Sequence, residues 1–150
     1  MSTSASPSIS PTPSTAESGP ITLSLPPIPT MVRVGRLTAS SIASLADMTI
    51  DDIDDIKIAV SEMITVLIQS GSRAMISLRF ETTATEFSVE ASTPSGQTDL
   101  GRNDLALATA VLDAVADEHH VAATGDTILI RVVKRLSSVS ATDAHSDSPS

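Results

Sequence analysis

The sequence predicts an α+β fold, a two-layer sandwich in which one mixed, mainly antiparallel sheet carries three helices on one face. The hydrophobic period switches between two and about 3.6 in the order β, α, α, β, β, α, β, β, which is the order of such a sandwich rather than of a parallel, doubly wound sheet. With 150 residues, 41% of them hydrophobic and 18% charged, the chain has material for one core of ordinary size and for no second one. Both ends are Ser-, Thr- and Pro-rich and too poor in apolar residues to offset the entropy of ordering a chain. A folded body is therefore expected over 21–136, between disordered tails at 1–20 and 137–150.

Ile21 to Leu25 alternates apolar and polar residues and is stopped by Pro26, Pro27 and Pro29, as a short edge strand would be. A helix is expected from about Thr30 to Ala46, with Met31, Val34, Leu37, Ser41 and Leu45 as its inward stripe and Arg33 and Arg36 off it. The second helix has the clearer start. Thr49 can cap it, Asp52 stands three residues on, and Asp51, Asp52, Asp54 and Asp55 place negative charge where the helix dipole favours it. Its stripe is Ile53, Ile56, Val60, Met63, Ile64 and Leu67, and Gly71 ends it.

Two strands follow by period two. Met75 to Glu81 turns Ile76, Leu78 and Phe80 to one face, and Thr85 to Ala91 turns Phe87 and Val89 to one face and Glu86, Ser88 and Glu90 to the other, a hairpin. Ser92 to Asn103 is turn chemistry, long enough for a lid or a binding loop. A third helix carries Leu105, Ala108, Val111, Leu112 and Val115 inward, and a last strand pair, His120 to Ala123 and Thr127 to Val133, closes across Gly125 and Asp126.

Composition excludes several functions. Nine Lys and Arg against 18 Asp and Glu, with Phe80 and Phe87 the only rings, leave neither the basic groove nor the stacking platforms of a direct nucleic-acid reader. There is no cysteine, hence no disulfide, thiolate metal site or cysteine nucleophile. No run of about 18 apolar residues offers a membrane span, and residues 1–20 lack the basic and apolar regions of a secretory signal, so a cytoplasmic protein is expected.

Candidate chemistry is sparse. The four aspartates from Asp51 to Asp55 lack the central glycine and closing glutamate of a calcium loop and read as a helix start. His119 and His120 are adjacent, so a strand turns them to opposite faces, and no metal site is expected. No G-x-S-x-G elbow occurs. Glu62, in AVSEMITVLIQSG, falls on the side of the second helix away from its stripe, together with Ile58 and Val66; a solvated surface charge is the plain reading.

The stretch DDIDDIKIAVSEMITVLIQSG, after a proline-bounded strand and a helix containing VRVGRL, resembles the bacterial anti-sigma factors that are also serine kinases, members of the histidine-kinase and Hsp90-like ATPases with the Bergerat fold. The closing segment LALATAVLDAVADEHHVAATGDTILIRVVKRL is similar to theirs in pattern. The resemblance implies that Glu62 would activate an attacking hydroxyl. Four residues on, where the family has an asparagine that holds Mg²⁺ against ATP, stands Val66; where it has an adenine-reading aspartate stand Ala91, Ser92 or Thr93, with Gly96 nearby; and of its phosphate-binding glycine turn Gly101 remains, with Asn103 and Asp104 where a glycine is expected. It therefore implies an anti-sigma regulatory factor that sequesters an alternative sigma factor of RNA polymerase, answers to an anti-anti-sigma protein and forms a homodimer. Arg33 and Arg36 would lie on its partner face, and ATP and Mg²⁺ would bind weakly or not at all, the kinase activity being weakened or lost. The alternative is an active ATP-dependent serine kinase that phosphorylates the anti-anti-sigma protein.

Overall fold

The computed structural model describes residues 19–96 and 100–137; the segments read as tails fall outside them except for residues 19, 20 and 137. The elements follow in the expected order: β1 (Ile21–Leu25), α1 (Met31–Leu45), α2 (Ile50–Gln69), β2 (Ile76–Thr82), β3 (Glu86–Pro94), α3 (Arg102–Val115), β4 (Glu118–Thr124) and β5 (Thr127–Arg135). The sheet order is β1-β2-β3-β5-β4. All four pairings are antiparallel, so the parallel component expected of a mixed sheet is absent among the described residues. β1 is an edge strand, as expected, and ends where Pro26, Pro27 and Pro29 begin.

Ile76, Leu78 and Phe80 of β2, Phe87, Val89 and Ala91 of β3, and Ile128, Ile130 and Val132 of β5 are buried against the helices. The opposite side of the sheet carries a polar row, Thr22, Arg79, Glu90, Arg131 and His120, in register across all five strands. α2 lies at the centre of the helical layer, with α1 and α3 against it. Thr49 caps its start, as read from the sequence: Thr49 Oγ1 accepts from the Asp52 amide at 3.1 Å and donates to Asp52 Oδ2 at 2.8 Å, so the Asp52 carboxylate meets the Thr49 hydroxyl and not, as in a full capping box, the Thr49 amide. Its end is Gly71, in the left-handed region at φ 72°. The turn between β4 and β5 is the two-residue Gly125-Asp126, with Gly125 at φ 58° as a type II′ hairpin asks of its first central residue.

Two expectations are corrected. The inward side of α1 is Gly35, Ala39 and Ala43, with Val32 and Ile42 beside them, not the stripe of Val34, Leu37 and Leu45, which is 39%, 60% and 82% exposed. The reason is Gly35: a Cβ there would collide with Ile64 Cδ1 of α2, so the two helices approach more closely than large side chains permit. β3 also runs three residues further than the period predicts, through Ser92, Thr93 and Pro94, which pair with Leu129, Ile128 and Thr127.

Candidate functional site

The proline-rich turn from Pro26 to Pro29 sets where α1 begins, the Ile28 amide donating to the Pro26 carbonyl at 2.8 Å and the Met31 amide to the Ile28 carbonyl at 3.0 Å. From that start, Arg33 and Arg36 fall three residues apart on the outward flank of α1, both exposed. They line a surface groove of about 800 Å³ together with Pro29, Val32, Leu37 and Lys57. Lys57 comes from α2 and was not singled out in the sequence; its position one turn after Asp54, off the Ile53, Ile56, Val60 stripe, is the signal for it. Its Nζ lies 2.8 Å from Asp54 Oδ1, so part of its charge is already answered, whereas Arg33 and Arg36 make no ion pair among the described residues.

The nucleotide positions implied by the resemblance lie elsewhere, around the far half of α2. Glu62 is half-buried on α2. Val66 is not on a solvated side with it, as the helical wheel suggested, but 1% exposed, in the buried cluster that also holds Ala108 and Leu112 of α3. The wheel omits that α2 is flanked on both sides. Ala91 is buried, Ser92 points to the opposite side of the sheet, and Thr93, 2% exposed, donates from its hydroxyl to Ser72 Oγ at 3.3 Å. Ser72 Oγ in turn accepts from the Ala74 amide at 3.2 Å.

Gly96 packs against the chain at the end of α2, where a Cβ would collide with the Ser70 carbonyl, Gly71 and the Ser72 amide. Gly101 is the N-cap of α3 without a side-chain cap, and a Cβ on it would stand 3.1 Å from Asp104 Oδ2. The two glycines are thus tied into backbone packing and a helix start. Of the loop expected between them, residues 97–99 lie outside the described residues.

Mg-ATP does not fit these residues. An octahedral magnesium ion takes oxygen ligands, and Val66 has none to offer from within the core. None of Ala91, Ser92 and Thr93, where the resemblance sets an adenine-reading carboxylate, carries one, and the Thr93 hydroxyl is turned toward Ser72. Among the described residues no group of three His, Cys, Asp or Glu is placed to hold a metal. The aspartates of α2 have other partners: Asp52 and Asp55 face Lys134, at 3.4 and 2.8 Å. His119 and His120 point to opposite faces, His119 with its Nδ1 3.3 Å from Asp113 Oδ1.

Among known proteins, no family model matches the chain. A 45-residue segment, 30% of this chain, is 56% identical to the serine-protein kinase RsbW of Listeria monocytogenes and of Listeria innocua, and covers 29% of each. A 64-residue segment is 41% identical to RsbW of Bacillus velezensis and covers 40% of each chain. The matched stretches thus span less than half the length of these relatives. In three dimensions, 79% of the chain superimposes on 33% of the crystal structure of the RsbU and RsbW domains of a Mycobacterium tuberculosis protein, with a TM-score of 0.66 at 15% identity, which speaks for the fold alone. Local sequence identity and fold thus agree in likening part of the chain to the RsbW serine-protein kinases.

Proposed function

We propose that the chain is an anti-sigma regulator that binds and sequesters an alternative sigma factor of bacterial RNA polymerase in the cytoplasm and releases it to an anti-anti-sigma protein, its kinase activity weakened or lost. The observation that carries the reading is the groove on α1. On a chain of net charge -9, Arg33, Arg36 and Lys57 come together around an apolar floor of Pro29, Val32 and Leu37, a surface suited to an acidic, apolar protein segment. Among the described residues no helix is long and apolar enough to cross a membrane.

The test is transcription by RNA polymerase holoenzyme carrying an alternative sigma factor. The full chain is expected to suppress it, and the Arg33→Glu/Arg36→Glu double variant to require about 30-fold more protein or above, since losing a desolvated charge contact costs about 2 kcal/mol or more. Equal potency of the two proteins would remove the groove from the reading.

The second reading, a working serine kinase, rests on Glu62, which α2 leaves partly open. Thermal unfolding with millimolar Mg-ATP separates the two. A ligand at a hundredfold its Kd adds about 2.7 kcal/mol and would move the midpoint by several degrees. With Val66 buried and Thr93 turned to Ser72, the expected shift is below about 1 °C. A shift of several degrees would return the kinase reading to first place.

A further inference from the structure

The groove on α1 gathers basic charge that the folded body leaves unanswered. Elsewhere Lys134 faces Asp52 and Asp55, Arg79 faces Glu81, Arg135 faces Glu118, and Arg102 shares a shallow depression with Asp113. Arg33 and Arg36 have no such acid among the described residues, and the first turn of their own helix holds none. The chain carries a segment of the opposite character. Residues 138–150, SVSATDAHSDSPS, hold Asp143 and Asp147 and no Lys or Arg, whereas residues 1–18 hold a single acid, Glu17. Both segments lie outside the described residues.

The place where residues 138–150 leave the body also favours them. The Leu136 amide donates to the Thr85 carbonyl at 2.8 Å, and Lys134 reaches Asp55 at the start of α2, two residues ahead of Lys57. From there the groove lies one helix width around α2, about 10–12 Å, and one interhelical spacing further to α1, about 8–10 Å. Asp143, six residues past Ser137, reaches about 20 Å when extended, and Asp147, ten past it, about 33 Å.

We propose that residues 138–150 occupy the groove of their own chain, Asp143 against Lys57 and Asp147 against Arg33 and Arg36, with Ala144 between them over the floor of Val32 and Leu37. The charge pairs are exposed, so each contributes little and salt releases them. The contact is populated because the tether holds the acids at an effective concentration of about a millimolar. Residues 138–150 then compete with the sigma factor for one surface. That last consequence rests on the proposed function; the docking itself does not.

The chain has no cysteine, so Ser146→Cys gives a nitroxide one attachment point. In the isotope-labelled full chain, without any sigma factor, the backbone amide signals of Arg33, Arg36 and Lys57 are expected to be broadened away, while that of Gly125, at the other end of β5 from Arg135, is kept. Sodium chloride at about 0.5 M restores the signals on α1, and so does Arg33→Glu/Arg36→Glu at low salt. Adding Asp147→Lys to that double variant brings the broadening back, because the introduced lysine meets the introduced glutamates. Broadening confined to residues beside Ser137, broadening on α1 that ignores salt and variants, or a charge swap that recovers nothing would each overturn the docking. Broadening seen only between a nitroxide-bearing chain and a separate isotope-labelled one would place the segment on a second copy and overturn docking within one chain. The competition is read separately in the transcription assay, where full-chain Asp143→Lys/Asp147→Lys is expected to suppress at about a third to a half of the parent's concentration. Equal potency would overturn the competition and leave the docking to the nitroxide result.

Discussion

Replacing Phe80 with alanine is expected to lower the unfolding free energy by about 3–5 kcal/mol, the range for a fully buried aromatic truncated in a core that relaxes only in part. Phe80 is 1% exposed and stands opposite Ile21 in β1 and Val89 in β3. Phe87 is the only other phenylalanine, the chain has no Trp or Tyr, and Phe87 is itself buried on β3. Guanidinium unfolding followed by far-ultraviolet circular dichroism measures the loss, with Leu107→Ala, on the exposed side of α3, as a control expected within about 0.5 kcal/mol of the parent. A domain of this size holds about 5–15 kcal/mol in total, so the loss is a large share of it. A loss below about 1.5 kcal/mol would mean that β1 collapses onto the cavity.

The second large effect is expected at Lys134. It is the one charged side chain that β5 turns toward the helices, between Asp52 and Asp55 at the start of α2, and it ties the sheet to that capped helix start. Burial works against its ammonium. The hydrogen bond and charge of Asp55, and then those of Asp52, outweigh that penalty and hold the group above its ordinary value of 10.5. Lys134→Met removes the cation and leaves two carboxylates facing an apolar side chain, at an expected cost of about 2 kcal/mol, less than for a fully buried pair because both acids keep some contact with water. The sign with pH follows from the raised value. The stabilisation is fully present below the unfolded lysine pKa and is lost as pH rises through the higher folded one, so the gap between parent and variant should hold from neutral pH to about 10 and close above it. A gap that stays open well above pH 11 would show that the tie contributes through packing and not through charge.

The parts of this architecture that could be read from residues are those in which one local signal dominates. α2 announces itself by Thr49 and Asp52 and by a stripe of large side chains, and β2 by Ile76, Leu78 and Phe80 at period two. α1 misleads because its packing surface is made of the smallest residues. Gly35, Ala39 and Ala43 weigh little in any count of apolar side chains, while Leu37 and Leu45, which weigh most, stand outside. The end of β3 misleads in another way, since Ser92, Thr93 and Pro94 are turn formers by habit, and only the opposite strand, out of sight in the local sequence, keeps them extended. Arg33 and Arg36 were legible as charges off a helix stripe; Lys57, which completes their groove, was not, because it arrives from a second helix. The burial of Val66 likewise needed α3, whose Ala108 and Leu112 are more than forty positions away, to be set beside α2.

The strand order has a consequence for how the chain reaches this state. β2 with β3, and β4 with β5, meet across tight turns, and α1 meets α2 across a short corner. β1 is different: its only partner in the sheet is β2, with the whole helical hairpin between them in sequence. Closing that long loop is entropically expensive until the hairpin has folded back, and only afterwards do the two strands find each other cheaply. β1 is then expected to dock last and to leave first, as its amides exchanging ahead of those of β2 and β3 would show. The opening segment of the domain therefore acts less as a foundation than as a latch drawn across a structure already assembled.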